Sequence, residues 1–269
     1  MFFELDVPVP EPALPLPPAY NPKGKAKQNT ALKLSEQPLP PPLLFNATQI
    51  AALETRIELL AQLGYTVLCL TQTERGPIDP KSFINVLTAL IATLNASPRK
   101  PPQIVLSTRL TLVLDNTCDG GFGLTQSNAA LFGGYDVLAL RPLTVQTFSQ
   151  ACLTHAAPGP LTAHIIVVPL SPRVPFPLKH TLVRTARRAG AVFELSFAGA
   201  IRGDEGWWGS AREVVRVAKG KGIVITGGGE PRAPRDLANL AGLLDLQPNV
   251  AHDAVTGTCR SVLIRARKS

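Results

Sequence analysis

Short apolar runs, each of a length that suits one buried β-strand, recur along the whole sequence and alternate with helical segments. Strands that are apolar on both faces and separated by helices pair in parallel and connect through right-handed crossovers. The pattern therefore predicts an α/β fold, a TIM-like (β/α) barrel of about seven parallel strands with helices outside. An open doubly wound sheet is the alternative, but the first strand lacks the GxGxxG turn of nucleotide-binding sheets. The predicted strands are Phe2–Val7, Tyr65–Leu70, Ile104–Asp115, Tyr135–Leu140, His164–Val168, Val192–Ile201 and Gly222–Thr226.

Helical periodicity and capping residues place the helices between these strands. Asn46 is a good N-cap for the first helix, Gly64 ends that helix, and Pro80 suits the first turn of the second. The tail after the seventh strand carries two helical patterns and no clear eighth strand. A basic helical segment is also predicted between Ile201 and Lys219. The other predicted helices cover residues 46–63, 80–94, 126–132, 144–152, 178–189, 234–244 and 248–267.

The 269 residues are predicted to form a single barrel domain over residues 1–269, with a proline-rich insertion at residues 8–45. Between Pro8 and Pro42 lie 11 of the 26 prolines, and proline disfavours a regular element because it fixes φ and removes a backbone donor. No apolar run approaches the roughly 18 residues that a membrane span needs, so no membrane partner is expected. None of the four cysteines forms a CxxC pair, and neither a zinc site nor a disulfide framework is predicted.

The positive charge lies in one part of the chain. Residues 1–170 contain 11 Lys/Arg and 11 Asp/Glu, whereas residues 171–269 contain 16 Lys/Arg and 8 Asp/Glu. The net charge of +8 therefore comes entirely from the second region. A one-sided basic surface suits a polyanion such as nucleic acid, and ordinary solubility charge is the alternative.

Three groups of cations are predicted to bind RNA. Lys219 and Lys221 precede the seventh strand and belong to the amino-terminal rim of the barrel, although they also suit a solvated helix end. Arg232 and Arg235 follow the seventh strand, where their guanidinium forks are placed to contact phosphates. The third group, for which a solvated tail is the alternative, is Arg260, Arg265 and Arg267.

Two kinds of enzyme remain as alternatives. A metal-dependent hydrolase of the phosphoesterase type would use the carboxylates in or at the ends of strands, Asp6, Asp115 and Glu194, together with histidines. The four histidines, however, show neither HxH nor HExxH spacing, so no metal site is predicted. A barrel enzyme for a phosphorylated metabolite would use the glycines Gly227–Gly229, which also suit a plain turn.

Two charged residues lie inside apolar strands. Arg109 and Glu194 each sit within a run that is predicted to be buried, where an unpaired charge is costly. We therefore expect Arg109 to pair inside the barrel with Glu194 or with Asp6, as a structural ion pair without a catalytic role.

Eight short segments, in the right order and at sensible spacing, resemble the TIM-barrel protein subunit of eukaryotic and archaeal ribonuclease P, which is shared with ribonuclease MRP. The sequence departs from that family in its longer proline-rich segment and in Gly227–Gly229, where the family often has small hydroxyl residues. The matching segments are Phe3–Pro8, Leu63–Tyr65, Thr108–Thr111, Tyr135–Ala139, Phe193–Ile201, Gly220–Ile225, Pro234–Leu240 and Thr258–Arg260.

The resemblance implies a structural, RNA-binding subunit in a particle whose catalyst is the RNA. The particle would remove 5′ leaders from precursor tRNA and, in its MRP form, process ribosomal RNA precursors in the nucleus and nucleolus. Magnesium would be held by the RNA, with no cofactor on the protein, and a small α/β subunit and other proteins would be partners. By position, the resemblance assigns basic character to Arg109, Arg202, Lys221, Arg235 and Arg260, and Arg202 therefore joins the residues that are predicted to bind RNA.

Overall fold

A computed structural model describes residues 1–12, 44–115 and 121–267. The strands form a single parallel sheet in which each strand pairs with its neighbour in the sequence. This order and the surrounding helices confirm the predicted TIM-like barrel, which is nearly closed. Most of the predicted proline-rich insertion, residues 13–43, lies outside the described residues. The strands are β1 (Phe3–Pro8), β2 (Val67–Arg75), β3 (Val105–Leu114), β4 (Val137–Pro142), β5 (Ile165–Val167), β6 (Val192–Ser196) and β7 (Ile223–Thr226).

The helices connect the strands and follow β7. Burial of their apolar faces against the outside of the sheet forms the larger part of the core. None of the described helices is both long and apolar enough to cross a membrane. They are α1 (Ala47–Gln62), α2 (Leu87–Ala96), α3 (Ala129–Phe132), α4 (Val145–Gln150), α5 (His180–Arg188), α6 (Ala198–Arg202), α7 (Trp207–Ala218), α8 (Pro234–Ala241), α9 (Pro248–Ala254) and α10 (Gly257–Ala266).

The second helix begins later than predicted. It starts at Leu87 rather than at Pro80, because two local interactions hold the preceding residues in turns. Asp79 accepts hydrogen bonds from the backbone of Lys81 through its side chain and from Phe83 through its carbonyl oxygen. The side chain of Gln72 on β2 then bonds to the backbone of the segment just before α2. Side chain–backbone bonds of this kind compete with a helix.

The sixth strand is shorter than predicted. It ends at Ser196, and residues 198–202 form α6 instead of continuing the strand. The apolar pattern predicted a longer strand because this turn of helix is also apolar, being buried between the barrel and α7. A Cβ atom on Gly199 would lie 2.5 Å from the Trp207 ring and 2.6 Å from Ser171 Oγ. Glycine at this position therefore allows α6 and the indole to pack together.

The helical pattern predicted over Pro248–Arg267 forms two helices, α9 and α10. Val255 and Thr256 separate them. The break lets α10 turn under the barrel. Its buried side chains Cys259 and Val262 join the apolar cluster of the barrel interior, which includes Phe3 and Val67 at the first positions of β1 and β2. Helix α10 therefore closes the amino-terminal end of the barrel.

Candidate nucleic-acid interface

The interior of the barrel contains the charged pair that the sequence predicts. Arg109 Nη2 donates to Glu194 Oε2 at 2.6 Å, and the two side chains are 1% and 0% exposed. Arg109 also donates from Nη1 to the Leu5 carbonyl at 2.6 Å and from Nε to Thr111 Oγ1 at 3.0 Å. Thr226 Oγ1 donates to Glu194 Oε1 at 2.8 Å. Burial opposes the charged form of Arg109, but the attraction of the Glu194 and Asp6 carboxylates and the hydrogen bond to Glu194 together raise the pKa of Arg109.

This network joins four strands, β1, β3, β6 and β7, from inside the barrel. Each of its members is bonded to another part of the barrel wall, and water is excluded from the pair. The arrangement fits a structural role, in which the guanidinium satisfies a backbone carbonyl of β1 at the place where the sheet does not close by itself.

A buried carboxyl group bridges the gap between the edge strands β1 and β7. Glu4 Oε2 accepts from the Gly227 backbone N–H at 2.9 Å, and Oε1 accepts from the Asp6 backbone N–H at 3.1 Å. Glu4 is 3% exposed, and burial raises its pKa to about 8 although both hydrogen bonds act in the opposite direction. One side chain thus takes the place of the ladder that would close the barrel.

We expect this group to make the stability of the protein depend on pH. Because the pKa of Glu4 is raised from 4.5 to about 8 on folding, the folded state holds the proton across that range and the unfolded state does not. The free energy of unfolding should therefore fall as pH rises through this window, with a slope of up to about 1.4 kcal/mol per pH unit from this group. Denaturant unfolding at several pH values measures it.

The matched variant is Glu4→Gln, which keeps the shape but does not titrate and has only one acceptor oxygen for the two N–H groups. It should be less stable than the natural protein at the acid end of the window by about 1–3 kcal/mol. The difference should shrink towards the alkaline end. Parallel stability curves for the two proteins would mean that Glu4 is not protonated in the folded state.

The residues considered for a metal-dependent hydrolase do not converge. In the described part of the chain, no three His, Cys, Asp or Glu side chains are grouped so that they could hold a metal ion. Glu194 is occupied inside the barrel. The ring of His164 accepts from the Leu138 backbone N–H through Nδ1 at 3.2 Å, and burial lowers its pKa to about 4. His164 therefore serves as a neutral packing residue.

The glycine loop after β7 is built for close packing. The Gly227 N–H is bonded to Glu4, so that this donor is not available to a phosphate. Gly228 has φ of +60°, and a Cβ atom there would lie 1.9 Å from Ser196 Oγ, which only glycine tolerates. Helix α8 begins later, at Pro234. These contacts favour the plain turn over a phosphate-binding loop.

The predicted RNA-binding arginines at the carboxyl-terminal rim differ in their surroundings. Arg202 lies at the end of α6 with its guanidinium 3.3 Å from Asp204 Oδ2 and 3.6 Å from Glu230 Oε1, so that two carboxylates already offset its charge. Arg232 and Arg235 are exposed. The carbonyl of Arg232 accepts from the Tyr65 hydroxyl at 3.0 Å, which anchors this loop and leaves its side chain outside.

The three predicted arginines in and directly after α10 also differ in their surroundings. Arg260 and Arg267 are exposed, as a nucleic-acid contact requires. Arg265 is half-buried, donates from Nη2 to the Ala156 carbonyl at 3.1 Å and packs against Gly190. Burial also lowers the pKa of Arg265. Its position fits an anchor for α10 better than the predicted RNA contact.

Lys219 and Lys221 belong to a larger basic site. They line one surface depression of about 450 Å³ together with four residues of α5, and all six lining residues are cationic or titratable to a cation. We refer to it as the basic groove. Helix α5 ends just before β6 and the lysines lie just before β7, which places the groove at the amino-terminal rim. Its residues are His180, Arg184, Arg187, Arg188, Lys219 and Lys221.

The sequence contained a signal for the α5 residues that the predicted RNA-binding set omits. His180, Arg184 and Arg188 are spaced by four residues and so lie on one face of the helix. Arg187 is turned towards α7, where Nη1 donates to the Ala218 carbonyl at 3.0 Å. That bond joins α5 to the turn that carries the lysines.

Comparison with known proteins identifies the family of this chain. The sequence model of the family described as RNase P subunit p30 matches residues 1–269. The chain belongs to this family. It is 27% identical over 229 residues to ribonuclease P protein subunit p30 of Mus musculus, covering 81% of each chain. It is 28% identical over 217 residues to the probable ribonuclease P protein subunit 3 of Schizosaccharomyces pombe, covering 78% of this chain and 84% of that protein.

Among solved structures, the fold is similar to a chain in a cryo-EM structure of archaeal ribonuclease P with mature tRNA. The TM-score is 0.62 with 15% identity, over 80% of this chain and 88% of the other. The barrel is thus a fold that the archaeal chain shares. Membership of the p30 family confirms the resemblance that the eight sequence segments indicated.

Proposed function

We propose that this chain is a non-catalytic, RNA-binding protein subunit of ribonuclease P and of ribonuclease MRP. In this role it stabilises the RNA of the particle, which removes 5′ leaders from precursor tRNA and, in the MRP form, processes ribosomal RNA precursors. The observation that carries the proposal is the family match over residues 1–269, together with two relatives that are named as ribonuclease P subunits.

The site geometry supports a binding role. Arg109 in the barrel interior bonds to Glu194 and to the Leu5 carbonyl of the barrel wall. In the glycine loop, the Gly227 N–H donates to Glu4. Seven of the eight predicted RNA-binding residues are exposed, all except Arg265. Arg202 is also exposed, but two carboxylates offset its charge. We propose RNA contacts for the other exposed members of the predicted set, namely Lys219, Lys221, Arg232, Arg235, Arg260 and Arg267.

The remaining parts of the proposal concern the particle. Its partners are the catalytic RNA, a small α/β subunit and further protein subunits, and precursor tRNA is the substrate of the whole assembly. Magnesium is held by RNA phosphates rather than by this chain. The particle is placed in the nucleus and nucleolus, which imaging of a fluorescently tagged chain against a nucleolar marker tests.

The decisive experiment is purification of the tagged full-length chain from extract of its source cells, followed by sequencing of the bound RNA and identification of the bound proteins. We expect one long structured RNA, a small partner subunit and cleavage of precursor tRNA that requires the RNA. Recovery of the chain alone, without RNA and without cleavage activity, would contradict the proposal.

A further inference from the structure

We infer that the basic groove binds the phosphate backbone of RNA and is the principal electrostatic contact of this chain. The inference rests on the proposed function and deepens it, since it names the surface that meets the RNA. It adds α5, through Arg184 and Arg188, to the predicted set of RNA-binding residues.

The first reason is the density of uncompensated charge. Among the residues that the structure describes, only His, Arg and Lys line the groove, and no carboxylate takes part in the lining. Elsewhere on the described surface, several arginines are offset by acids. Arg99 contacts Glu54 and Glu58, and Arg216 contacts Glu213. A concave surface with one sign of charge concentrates the field and attracts a polyanion.

The second reason is the arrangement of the donors. Residues spaced by four along a helix present side chains about 5–6 Å apart, so that His180, Arg184 and Arg188 form a row about 12 Å long on α5. Lys219 and Lys221 are supplied by the turn after α7. A linear polyanion with regularly spaced charges suits such a row.

The third reason is the rigidity of the groove. Arg187 donates to the Ala218 carbonyl at 3.0 Å, and a Cβ atom on Gly222 would lie 3.1 Å from its Nε atom. Gly222 therefore lets the Arg187 stem lie flat against the turn. Because α5 and the lysine turn are joined in this way, the backbone that carries the cations needs little reordering on binding, which favours affinity.

RNA fits the groove better than the other polyanionic partners. Firm attachment of a helix to a membrane surface adds insertion of apolar side chains to the attraction of the cations, and none of the described residues that line the groove is apolar. An acidic protein would recognise the same charges, so the experiment must separate it from RNA.

Two pairs of substitutions test the groove in the full-length chain. Arg184→Gln/Arg188→Gln removes two cations of α5, and Lys219→Gln/Lys221→Gln independently removes two from the turn. The control, Arg99→Gln/Arg216→Gln, removes the same net charge from arginines that are already offset by carboxylates. All six side chains are exposed, and thermal melting of each variant verifies the fold.

Binding of a fluorescent hairpin RNA is followed by anisotropy over a range of salt concentrations. Each lost phosphate contact reduces the slope of log affinity against log salt by about 0.7–0.9. We therefore expect each groove pair to lower the slope by about 1.5 and to weaken binding roughly 10- to 50-fold near 0.1 M salt. The control pair should change affinity less than about threefold, because its charges are screened.

Four results would overturn the inference. Equal losses in the control and groove pairs would mean that only net charge matters, and unchanged binding in both groove pairs would place the contact elsewhere. Competition by polyglutamate as effective as competition by unlabelled RNA would indicate an acidic protein as the occupant. Co-purification from extract distinguishes a failure of the groove from a failure of the proposed function. If RNA is recovered equally with the natural chain and with the groove variants, the proposed function stands and the groove is refuted.

Discussion

Replacing Arg109 with methionine should lower the free energy of unfolding by about 3–5 kcal/mol, because it leaves the Glu194 carboxylate buried without its cation. Arg109 is 1% exposed and makes bonds to Glu194, Thr111 and the Leu5 carbonyl. Methionine fills much of the same space, so the loss is electrostatic rather than a cavity. Denaturant unfolding of the purified chain measures the change.

Two controls identify the cause. Arg141→Met, at an exposed position near the end of β4, should change stability by less than about 0.5 kcal/mol. The double variant Arg109→Met/Glu194→Leu removes both buried charges and should recover part of the loss, as replaced buried ion pairs often do. If the double variant is less stable than Arg109→Met by the full cost of a second deletion, the buried-charge explanation is wrong.

Replacing Val262 with aspartate should destabilise the chain by roughly 3–5 kcal/mol or prevent folding, since it places a carboxylate in the apolar interior of the barrel. Val262 is 2% exposed and packs with Cys259 against the strand starts. We expect this loss only if α10 closes the amino-terminal end of the barrel. Denaturant unfolding and circular dichroism measure stability and fold.

The same helix supplies the comparison. Ile264 is 46% exposed, so that Ile264→Asp changes charge and size in the same way on the outer face of α10. We expect it to change stability by less than about 0.5 kcal/mol. If both aspartate variants are equally stable, α10 does not cover the amino-terminal end of the barrel, and another segment must cover it.

Several features of this protein could be predicted from the sequence because their causes are local. Apolar runs separated by helical periodicity predict parallel strands in chain order, and the structure has that order. Charges inside apolar strands predict a buried partner, and Arg109 meets Glu194. Where prediction was wrong, local chemistry competed with the pattern, as at Asp79 before α2 and Gly199 in α6.

The sequence by itself determined the family, the strand order and the region that carries the positive charge, since these depend on residue type and on spacing along a single segment. Only the tertiary structure decided which cations share a surface, how the barrel closes and which helix covers its amino-terminal end. Lys221 and Arg188 line the same groove, and Glu4 accepts a hydrogen bond from Gly227 across 223 positions of sequence. Such contacts arise when the sheet curves and brings its edge strands together, and the periodicity of an individual segment carries no information about that curvature.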